Sequence, residues 1–152
     1  DMKVLFLCTG NSCRSQMAEG LLRDMAGDRF EALSAGLEEE DKVHPLAIKV
    51  MEEIGIDISQ QQPKNLGTYL GKENILHLIV VCDAVADVGP HVWPGVIDFN
   101  RVTWSFDAPE ETPGSEEEQL VAFRRVRDEI KAKIESWLIE HHQYPVSSES
   151  SA

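Results

Sequence analysis

The chain has 152 residues, of which 42% are hydrophobic and 27% charged, and these values are typical of one globular domain rather than of a disordered chain. Its formal net charge of −13 argues against binding to nucleic acids or anionic membranes, because phosphate-rich surfaces select clustered lysine and arginine. The sequence has no apolar run of membrane-spanning length and no basic-then-apolar leader, so we expect a cytoplasmic protein.

Strands and helices are predicted to alternate from the start of the chain. The nearly continuous apolar run at residues 3–7 predicts a buried strand, and apolar residues at helical spacing predict a helix from Ser15 onward. Residues 30–35 predict a second strand. Pro45 then begins a second helix, which Gly55 is expected to end.

The alternation continues in the second half of the chain. Residues 77–81 predict a third strand that ends at Cys82, and residues 96–98 predict a short fourth strand. The Ser-x-x-Glu pattern at Ser115 predicts the capped start of a long helix. The apolar stripe of that helix consists of Leu120, Phe123, Val126, Ile130, Ile134, Trp137 and Leu138.

This pattern indicates a single α/β domain with a parallel sheet, which we place at residues 2–142, followed by a disordered tail at residues 143–152. Ligands of such sheets bind beyond the carboxyl ends of the strands. Cys8 and Cys82 both end strands, so both thiols should lie at that edge. The alternative for Cys82 is an ordinary buried cysteine. Three cysteines without an export signal favour reactive or buried thiols over a disulfide framework.

The segment between the first strand and the first helix has the features of an oxyanion site. Gly10 and Asn11 tolerate positive φ, so successive N–H groups can point inward as an anion nest. The helix adds the positive end of its dipole, and Arg14 adds a planar fork for two oxygens. The same field favours the thiolate of Cys8, and the Ser15 hydroxyl could donate a hydrogen bond to that sulfur. The expected oxyanion ligands are Thr9, Gly10, Asn11, Ser12, Cys13 and Arg14. A structural turn with a salt-bridging Arg14 is the alternative.

The sequence Cys-Thr-Gly-Asn-Ser-Cys-Arg-Ser at residues 8–15, followed by Gln-Met-Ala-Glu-Gly, resembles the opening of thiol-dependent arsenate reductases of the low-molecular-weight tyrosine phosphatase fold. The similarity extends over nearly the whole chain, to about residue 141. The other matching segments are residues 34–36, 43–45, 51–59, 81–83, 104–106 and 114–130. The resemblance implies a four-stranded parallel sheet in the order 2-1-3-4, flanked by helices.

The resemblance also implies the reaction. Cys8 would attack arsenate held by Arg14 and the loop amides, and Cys82 would then attack Cys8, release arsenite and leave a Cys8–Cys82 disulfide. Two alternatives remain open. A low-molecular-weight protein tyrosine phosphatase needs Cys8 and Arg14 but not Cys82, and a catalytically weak oxyanion-binding sensor needs no turnover.

The same resemblance assigns support of the loop to three residues. Asn11, held by Ser34 and Glu19, is expected to keep the loop in its strained shape. Without the resemblance, Glu19 would be an exposed helix residue and Ser34 a hydroxyl at a strand end.

The first departure from the family pattern concerns the reductant. Thioredoxin-coupled members carry a third cysteine before a proline, where this chain has Gly89 before Pro90. A thiol reductant would therefore have to reach the Cys8–Cys82 pair directly. The candidates are glutathione with glutaredoxin, another low-molecular-weight thiol, and thioredoxin. The resemblance implies no bound cofactor, and Cys13 is a minor alternative as the resolving thiol.

The second departure concerns the supply of a proton. Members of the family usually carry an aspartate immediately before the proline that follows the Trp-x-Phe segment. This chain has Ala108 before Pro109, with Asp107 one position earlier. A shifted Asp107 could act as the general acid, and a solvated loop carboxylate is the alternative.

The third departure concerns a metal ion. Some related reductases bind potassium beside the loop through an aspartate, in a region where this chain carries Lys64. An ammonium group there could replace the cation electrostatically. We therefore predict no essential metal.

Overall fold

The structure is a computed structural model that describes residues 2–69, 72–81 and 100–141. These residues form a four-stranded parallel sheet in the order β2-β1-β3-β4. The strands are β1 at Met2–Cys8, β2 at Phe30–Gly36, β3 at Ile75–Val80 and β4 at Arg101–Thr103. The predicted α/β class and the strand order implied by the resemblance are both confirmed.

Helices cover the sheet. They are α1 at Arg14–Ala26, α2 at Pro45–Glu52 and α3 at Glu116–Glu140, with 3₁₀ turns at Leu66–Thr68 and Pro109–Glu111. The predicted capping box of α3 is confirmed, because the Ser115 hydroxyl accepts from the backbone of Glu118 and the Glu118 carboxylate accepts from the backbone of Ser115. Every residue of its predicted apolar stripe is buried. Within the described ranges, no helix has the length and apolar character needed to cross a bilayer.

Several boundaries differ from the prediction, and the third strand, for example, is Ile75–Val80 rather than residues 77–81. The helix α2 ends at Glu52, and Gly55 lies in the turn beyond it with a φ of 81°. The fourth strand is Arg101–Thr103, which has no apolar run of its own and is defined by its pairing with β3. The segment 96–98, where we predicted a strand, and the tail at 143–152 lie outside the described residues.

The central strand β1 positions the site. Its residues from Val4 to Cys8 are all buried between the neighbouring strands and helices. Cys8 pairs with Gly36 in register, at the carboxyl end of both strands. The chain then turns from Cys8 directly into α1, so the first residues of that helix lie next to the same edge of the sheet.

Candidate oxyanion site

A cavity of about 510 Å³ lies at the carboxyl end of β1. It is lined by Cys8, Thr9, Gly10, Asn11, Ser12, Cys13, Arg14, Glu38, Glu40, Phe106, Ala108, Glu110 and Glu111. The structure thus brings together all the residues predicted to bind the oxyanion. Cys82, predicted to reach the same edge, lies outside the described residues.

The loop that follows β1 is anchored through its carbonyl groups on the segment after β2. The carbonyl oxygens accept backbone hydrogen bonds as follows: Cys8 from Leu37 at 3.3 Å, Thr9 from Glu38 at 2.9 Å, Gly10 from Glu40 at 2.8 Å and Ser12 from His44 at 2.9 Å. The N–H and C=O of one trans peptide point in opposite directions. Because these four carbonyls point to the segment after β2, the N–H groups of the same peptides point to the inner side of the loop. This arrangement is the physical basis of an anion nest.

Asn11 has the conformation that bends the loop. Its φ of 54° is the only positive value at a non-glycine position in the described part of the chain. Its amide nitrogen donates to Ser15 Oγ at 2.8 Å, and its amide oxygen accepts from Gln16 Nε2 at 3.1 Å and from the backbone N–H of Lys64 at 2.8 Å. Gly10, which also tolerates a positive φ, does not adopt one here. The bend therefore depends on one buried asparagine with three side-chain bonds.

Ser34 and Glu19 support the loop indirectly, which corrects the predicted direct contact with Asn11. Ser34 Oγ donates to Glu19 Oε1 at 2.5 Å, and the ammonium of Lys64 lies 4.0 Å from the same oxygen. The backbone N–H of Lys64 in turn donates to Asn11. The reason is helical geometry: Gln16 lies about one turn nearer the start of α1 than Glu19 and occupies the place beside Asn11.

Gly36 lets β2 approach the loop closely. A Cβ at this position would lie 2.6 Å from the carbonyl oxygen of Thr9, a distance that no side chain tolerates without a shift of the backbone. The glycine is therefore required by the close approach that the anchoring hydrogen bonds need.

Arg14 begins α1 with its guanidinium directed to the cavity. Its Nη1 donates to the carbonyl of Phe106 at 3.0 Å, which fixes the side chain, and its Nη2 lies 4.0 Å from Glu110 Oε2. Its Nε is buried and donates no hydrogen bond to any described residue. The N-cap residue Cys13 makes no side-chain capping bond, so no side-chain cap occupies this helix terminus. Arginine and helix end therefore offer a positive site beside the cavity.

The two cysteines of the loop differ in their surroundings. Cys8 is buried and lines the floor of the cavity at the end of β1. Cys13 is also buried, and this burial, followed by the negative charge of Glu110, raises the pKa of its thiol far above the ordinary value. Cys13 is therefore a protonated thiol at neutral pH, and it is a poor nucleophile. The Oγ of Ser15 accepts from Asn11, so that bond does not use the hydroxyl proton, and the hydrogen bond from Ser15 to Cys8 stays a prediction.

Asp107 does not line the cavity. Its side chain is 77% exposed and forms an ion pair with Arg125 at 3.2 Å on α3. Successive side chains of an extended segment point to opposite sides, so the offset of one residue turns Asp107 away while Ala108 faces the cavity. The carboxylate that the structure places beside Arg14 belongs to Glu110.

Several residues around the cavity were missed at the level of sequence. Gln16 is fully buried and also donates to the carbonyl of Gln62, and its position inside the loop-and-helix motif was the signal that could have identified it. Glu38 and Glu40, in an acidic run that looks like ordinary solvated surface, are exposed but also line the cavity. Glu110 was overlooked because it follows the proline rather than preceding it.

Lys64 lies where the sequence predicted a cation beside the loop. Its ammonium is 4.0 Å from Glu19, and burial lowers the pKa of Lys64 while the charge of Glu19 opposes this shift. In the part of the chain that the structure describes, no three His, Cys, Asp or Glu side chains are grouped closely enough to hold a metal ion.

Comparison with known proteins places this site in a family. Residues 3–147 match the sequence model of the low molecular weight phosphotyrosine protein phosphatases. The chain is 45% identical over 134 residues to an arsenate reductase of Halalkalibacterium halodurans, a match that covers 88% of this chain and 93% of the relative. It is 41% identical, over the same shares of both chains, to an arsenate reductase of Bacillus subtilis.

Solved structures agree with the sequence relatives. An arsenate reductase in the phosphate binding state superposes with a TM-score of 0.76 at 32% identity, and covers 92% of this chain and 98% of its own. A low molecular weight protein tyrosine phosphatase from T. tengcongensis gives a TM-score of 0.75 at 25% identity, over 92% of this chain and 99% of its own. With its Cys8-to-Arg14 loop, its sheet order and these relatives, the chain belongs to the low molecular weight phosphotyrosine protein phosphatase family.

Proposed function

We propose that this protein is an arsenate reductase that uses Cys8 as its nucleophile. The observation that carries the proposal is the meeting of Cys8 and Arg14 in one cavity, inside a loop whose carbonyl groups are anchored outward. Relatives that are named arsenate reductases, at 41–45% identity over most of the chain, support the choice of substrate. The cavity has a volume of about 510 Å³, whereas one molecule of liquid water occupies about 30 Å³. A small tetrahedral oxyanion therefore fits, with room for a second thiol.

In the first step, arsenate binds to the guanidinium of Arg14 and to the inward N–H groups of the loop. The Cys8 thiolate attacks arsenic, a sulfur–arsenic bond forms, and one arsenic–oxygen bond breaks as that oxygen leaves with a proton as water. The positive end of α1 and Arg14 stabilise the charge on the remaining oxygens. The product is a Cys8–arsenic(V) adduct.

In the second step, the Cys82 thiolate attacks the sulfur of Cys8. The sulfur–arsenic bond breaks, its electron pair passes to arsenic, and arsenite leaves while a Cys8–Cys82 disulfide remains. The two thiols are oxidised by two electrons in total, and arsenic(V) is reduced to arsenic(III). Cys13 is the weaker candidate for this step, because burial keeps its thiol protonated.

The disulfide is then reduced by an external thiol system. Gly89 occupies the position at which thioredoxin-coupled members of the resembled family carry a third cysteine. The reductant would therefore act on the Cys8–Cys82 pair itself. Glutathione with glutaredoxin, another low-molecular-weight thiol, and thioredoxin are the candidates, and no bound cofactor takes part. This cycle belongs in the cytoplasm, where thiol pools keep cysteines reduced.

The test is arsenite formation by the reduced protein and two variants. Wild type, Cys8→Ser and Cys82→Ser are each incubated with arsenate and one of the three reducing systems, and the arsenite released is quantified. We expect catalytic turnover by the wild type alone. Equal arsenite from all three proteins contradicts the proposal, and tight oxyanion binding without turnover by any reductant supports the sensor instead.

Mass spectrometry of the arsenate-treated protein identifies the resolving thiol independently of turnover. We expect a peptide pair linked through Cys8 and Cys82 in the wild type, and its loss in Cys82→Ser. A Cys8–Cys13 link in the wild type would instead assign the second step to Cys13.

The second candidate function is hydrolysis of a phosphate monoester. It is favoured by the likeness to a solved tyrosine phosphatase and by the fact that Cys8, Arg14 and the loop are sufficient for it. The identity of 41–45% to named arsenate reductases is higher than the 25% to this phosphatase, which makes hydrolysis the second candidate. Turnover of an aryl phosphate that survives Cys82→Ser, with no arsenite formed, would establish it.

A further inference from the structure

Glu110 is the half-buried carboxylate of the candidate site. It lies in the 3₁₀ turn Pro109–Glu111, lines the cavity and is 30% exposed. Its Oε2 is 4.0 Å from Nη2 of Arg14. Its Oε1 is buried and accepts no hydrogen bond of ordinary geometry from the described residues, although the Cys13 thiol lies close enough to interact with this carboxylate. A buried carboxylate oxygen without a well-placed donor is costly, so this atom is open to a hydrogen bond with a group that enters the cavity.

The proposed reaction needs a proton at this place. Arsenate loses one oxygen when the Cys8 sulfur bonds to arsenic, and that oxygen leaves far more easily as water than as oxide or hydroxide. A group that faces Cys8 and Arg14 across the cavity can deliver the proton to it, whereas a carboxylate that faces solvent cannot.

We propose that Glu110 takes up a proton when the oxyanion binds and donates it to the oxygen that leaves arsenic. The inference rests on the proposed function. In the step, the carboxyl O–H bond of Glu110 breaks, the leaving oxygen gains the proton, and the sulfur–arsenic bond forms as the arsenic–oxygen bond breaks. Glu110 is left as a carboxylate beside Arg14 and takes a proton from solvent before the next cycle.

The other acidic groups nearby fit this role less well. Asp107 is exposed and paired with Arg125. Glu38, Glu40 and Glu111 line the cavity but are exposed at its rim. Cys13 is buried beside Glu110, but its raised pKa makes the thiol a weak acid. Among the cavity-lining residues that the structure describes, Glu110 is the carboxyl that is half-buried and adjacent to Arg14.

The charges around Glu110 determine when it holds a proton. Two anions in one cavity repel each other, so a bound oxyanion favours the neutral carboxyl, while Arg14 favours the carboxylate. The titratable and charged groups that line the two cavities beside Glu110 are Cys8, Cys13, Arg14, Glu38, Glu40, Asp41, Lys42, His44 and Glu111. Four of the groups on that list are carboxylates, and Arg14 and Lys42 are the cations among them.

The first test compares Glu110→Gln with Glu110→Asp and two controls. Steady-state kcat/KM for arsenate is measured across pH, because this ratio covers binding and the steps up to the first irreversible one. We expect Glu110→Gln to lower kcat/KM by about 10²–10⁴-fold, the usual contribution of a positioned acid. Glu110→Asp, which keeps a proton on a shorter side chain, should retain part of the activity. Asp107→Asn and Glu135→Gln, which remove an exposed carboxylate at the surface, should stay near wild type.

The pH profile separates proton donation from a structural effect. A proton donor works only while protonated, so the wild-type rate should fall on the alkaline side, and this descending limb should be absent from Glu110→Gln. An unchanged kcat/KM in Glu110→Gln overturns the inference, as does a higher one, which would mean that Glu110 only repels the oxyanion. A loss in Asp107→Asn in place of Glu110→Gln overturns it as well.

A binding measurement keeps the inference testable without turnover. Phosphate is titrated into wild type and Glu110→Gln by calorimetry, in two buffers that differ in ionisation enthalpy. We expect the wild type to take up about one proton more than the variant on binding, since two adjacent anions favour protonation of one. Equal uptake overturns the role of Glu110. Absence of arsenite from the wild type contradicts the proposed function and with it the donation step, whereas proton uptake on phosphate binding is measured independently of turnover.

Discussion

The two ends of the sheet are held together by different forces. At the carboxyl end, the oxyanion loop is fixed by directional hydrogen bonds among buried polar groups such as Asn11 and Gln16. At the amino end, rings pack around Trp137: Phe30 at 5.2 Å, His77 at 5.0 Å and His141 at 4.2 Å between centroids. The hydrogen bonds maintain the loop conformation that oxyanion binding requires, whereas burial of the rings contributes mainly to the free energy of unfolding. Substitutions at the two ends should therefore separate activity from stability.

The largest stability effect is expected from Trp137→Ala. Removing this buried ring leaves a cavity under three other rings, and should lower the free energy of unfolding by about 3–5 kcal/mol. Urea unfolding measures it, and arsenate reduction per folded molecule should hardly change. Val121→Ala on the same helix, at a position 63% exposed, is the control and should be nearly neutral. A Trp137 variant that stays as stable as this control would remove the distinction between the two ends.

Arg14→Lys should have the opposite profile. A lysine supplies the charge but not the planar fork, and we expect kcat/KM for arsenate to fall about 10²–10³-fold, as for loss of one oriented donor. The free energy of unfolding should change little. Arg125→Lys, which alters an exposed ion pair with Asp107, should leave activity as it is. Activity retained by Arg14→Lys would mean that charge alone binds the oxyanion.

The amino end should also respond to acid. Burial, and next the charge of His141, lowers the pKa of His77 from 6.5 to about 4. The unfolded chain therefore binds this proton more readily, so the contribution of His77 is complete above its unfolded pKa and is lost as the pH falls from 6.5 towards about 4. Each pH unit in this window should reduce the free energy of unfolding by at most about 1.4 kcal/mol.

Urea unfolding of wild type and His77→Gln at several pH values isolates this effect from the carboxylates. The variant lacks the titration, so the difference between the two proteins should shrink as the pH is lowered through the window. A difference independent of pH would show that His77 keeps its ordinary proton affinity in the fold.

Two substitutions of Asn11 separate the effect of backbone conformation on stability from the effect of hydrogen bonding at the carboxyl end. Asn11→Gly and Asn11→Ala both remove the three side-chain bonds, but only glycine adopts the φ of 54° without steric cost. The alanine variant should be less stable than the glycine variant by about 1–2 kcal/mol. Thermal unfolding compares them. Equal stability would indicate that the bend relaxes when the asparagine is removed.

The smallest effect is expected at Asp107. Its exposed ion pair with Arg125 should contribute no more than about 1 kcal/mol, so Asp107→Asn should change the free energy of unfolding little. High salt should abolish whatever difference exists. A large loss of stability would show that the segment before Pro109 is held more firmly than its exposure suggests.

Much of the fold was predictable because its signals are local. The residues of the apolar run in β1 are consecutive. Those of the capping box at Ser115 and of the apolar stripe of α3 are only a few positions apart in the sequence. The strand β4 was not predictable, since its three residues become a strand only by pairing with β3. The contact of Asn11 with Lys64 was missed for a similar reason, because Lys64 is 53 positions away along the chain.

The sequence by itself determined the oxyanion loop, because a strand end, a residue tolerant of positive φ, an arginine and a helix start are consecutive. The tertiary structure decided which acidic side chains face it. A shift of one residue in the segment after Trp104 turned Asp107 outward, and the turn at Pro109 brought Glu110 to Arg14. Side-chain direction in a loop depends on how distant elements pack, and no local pattern encodes that.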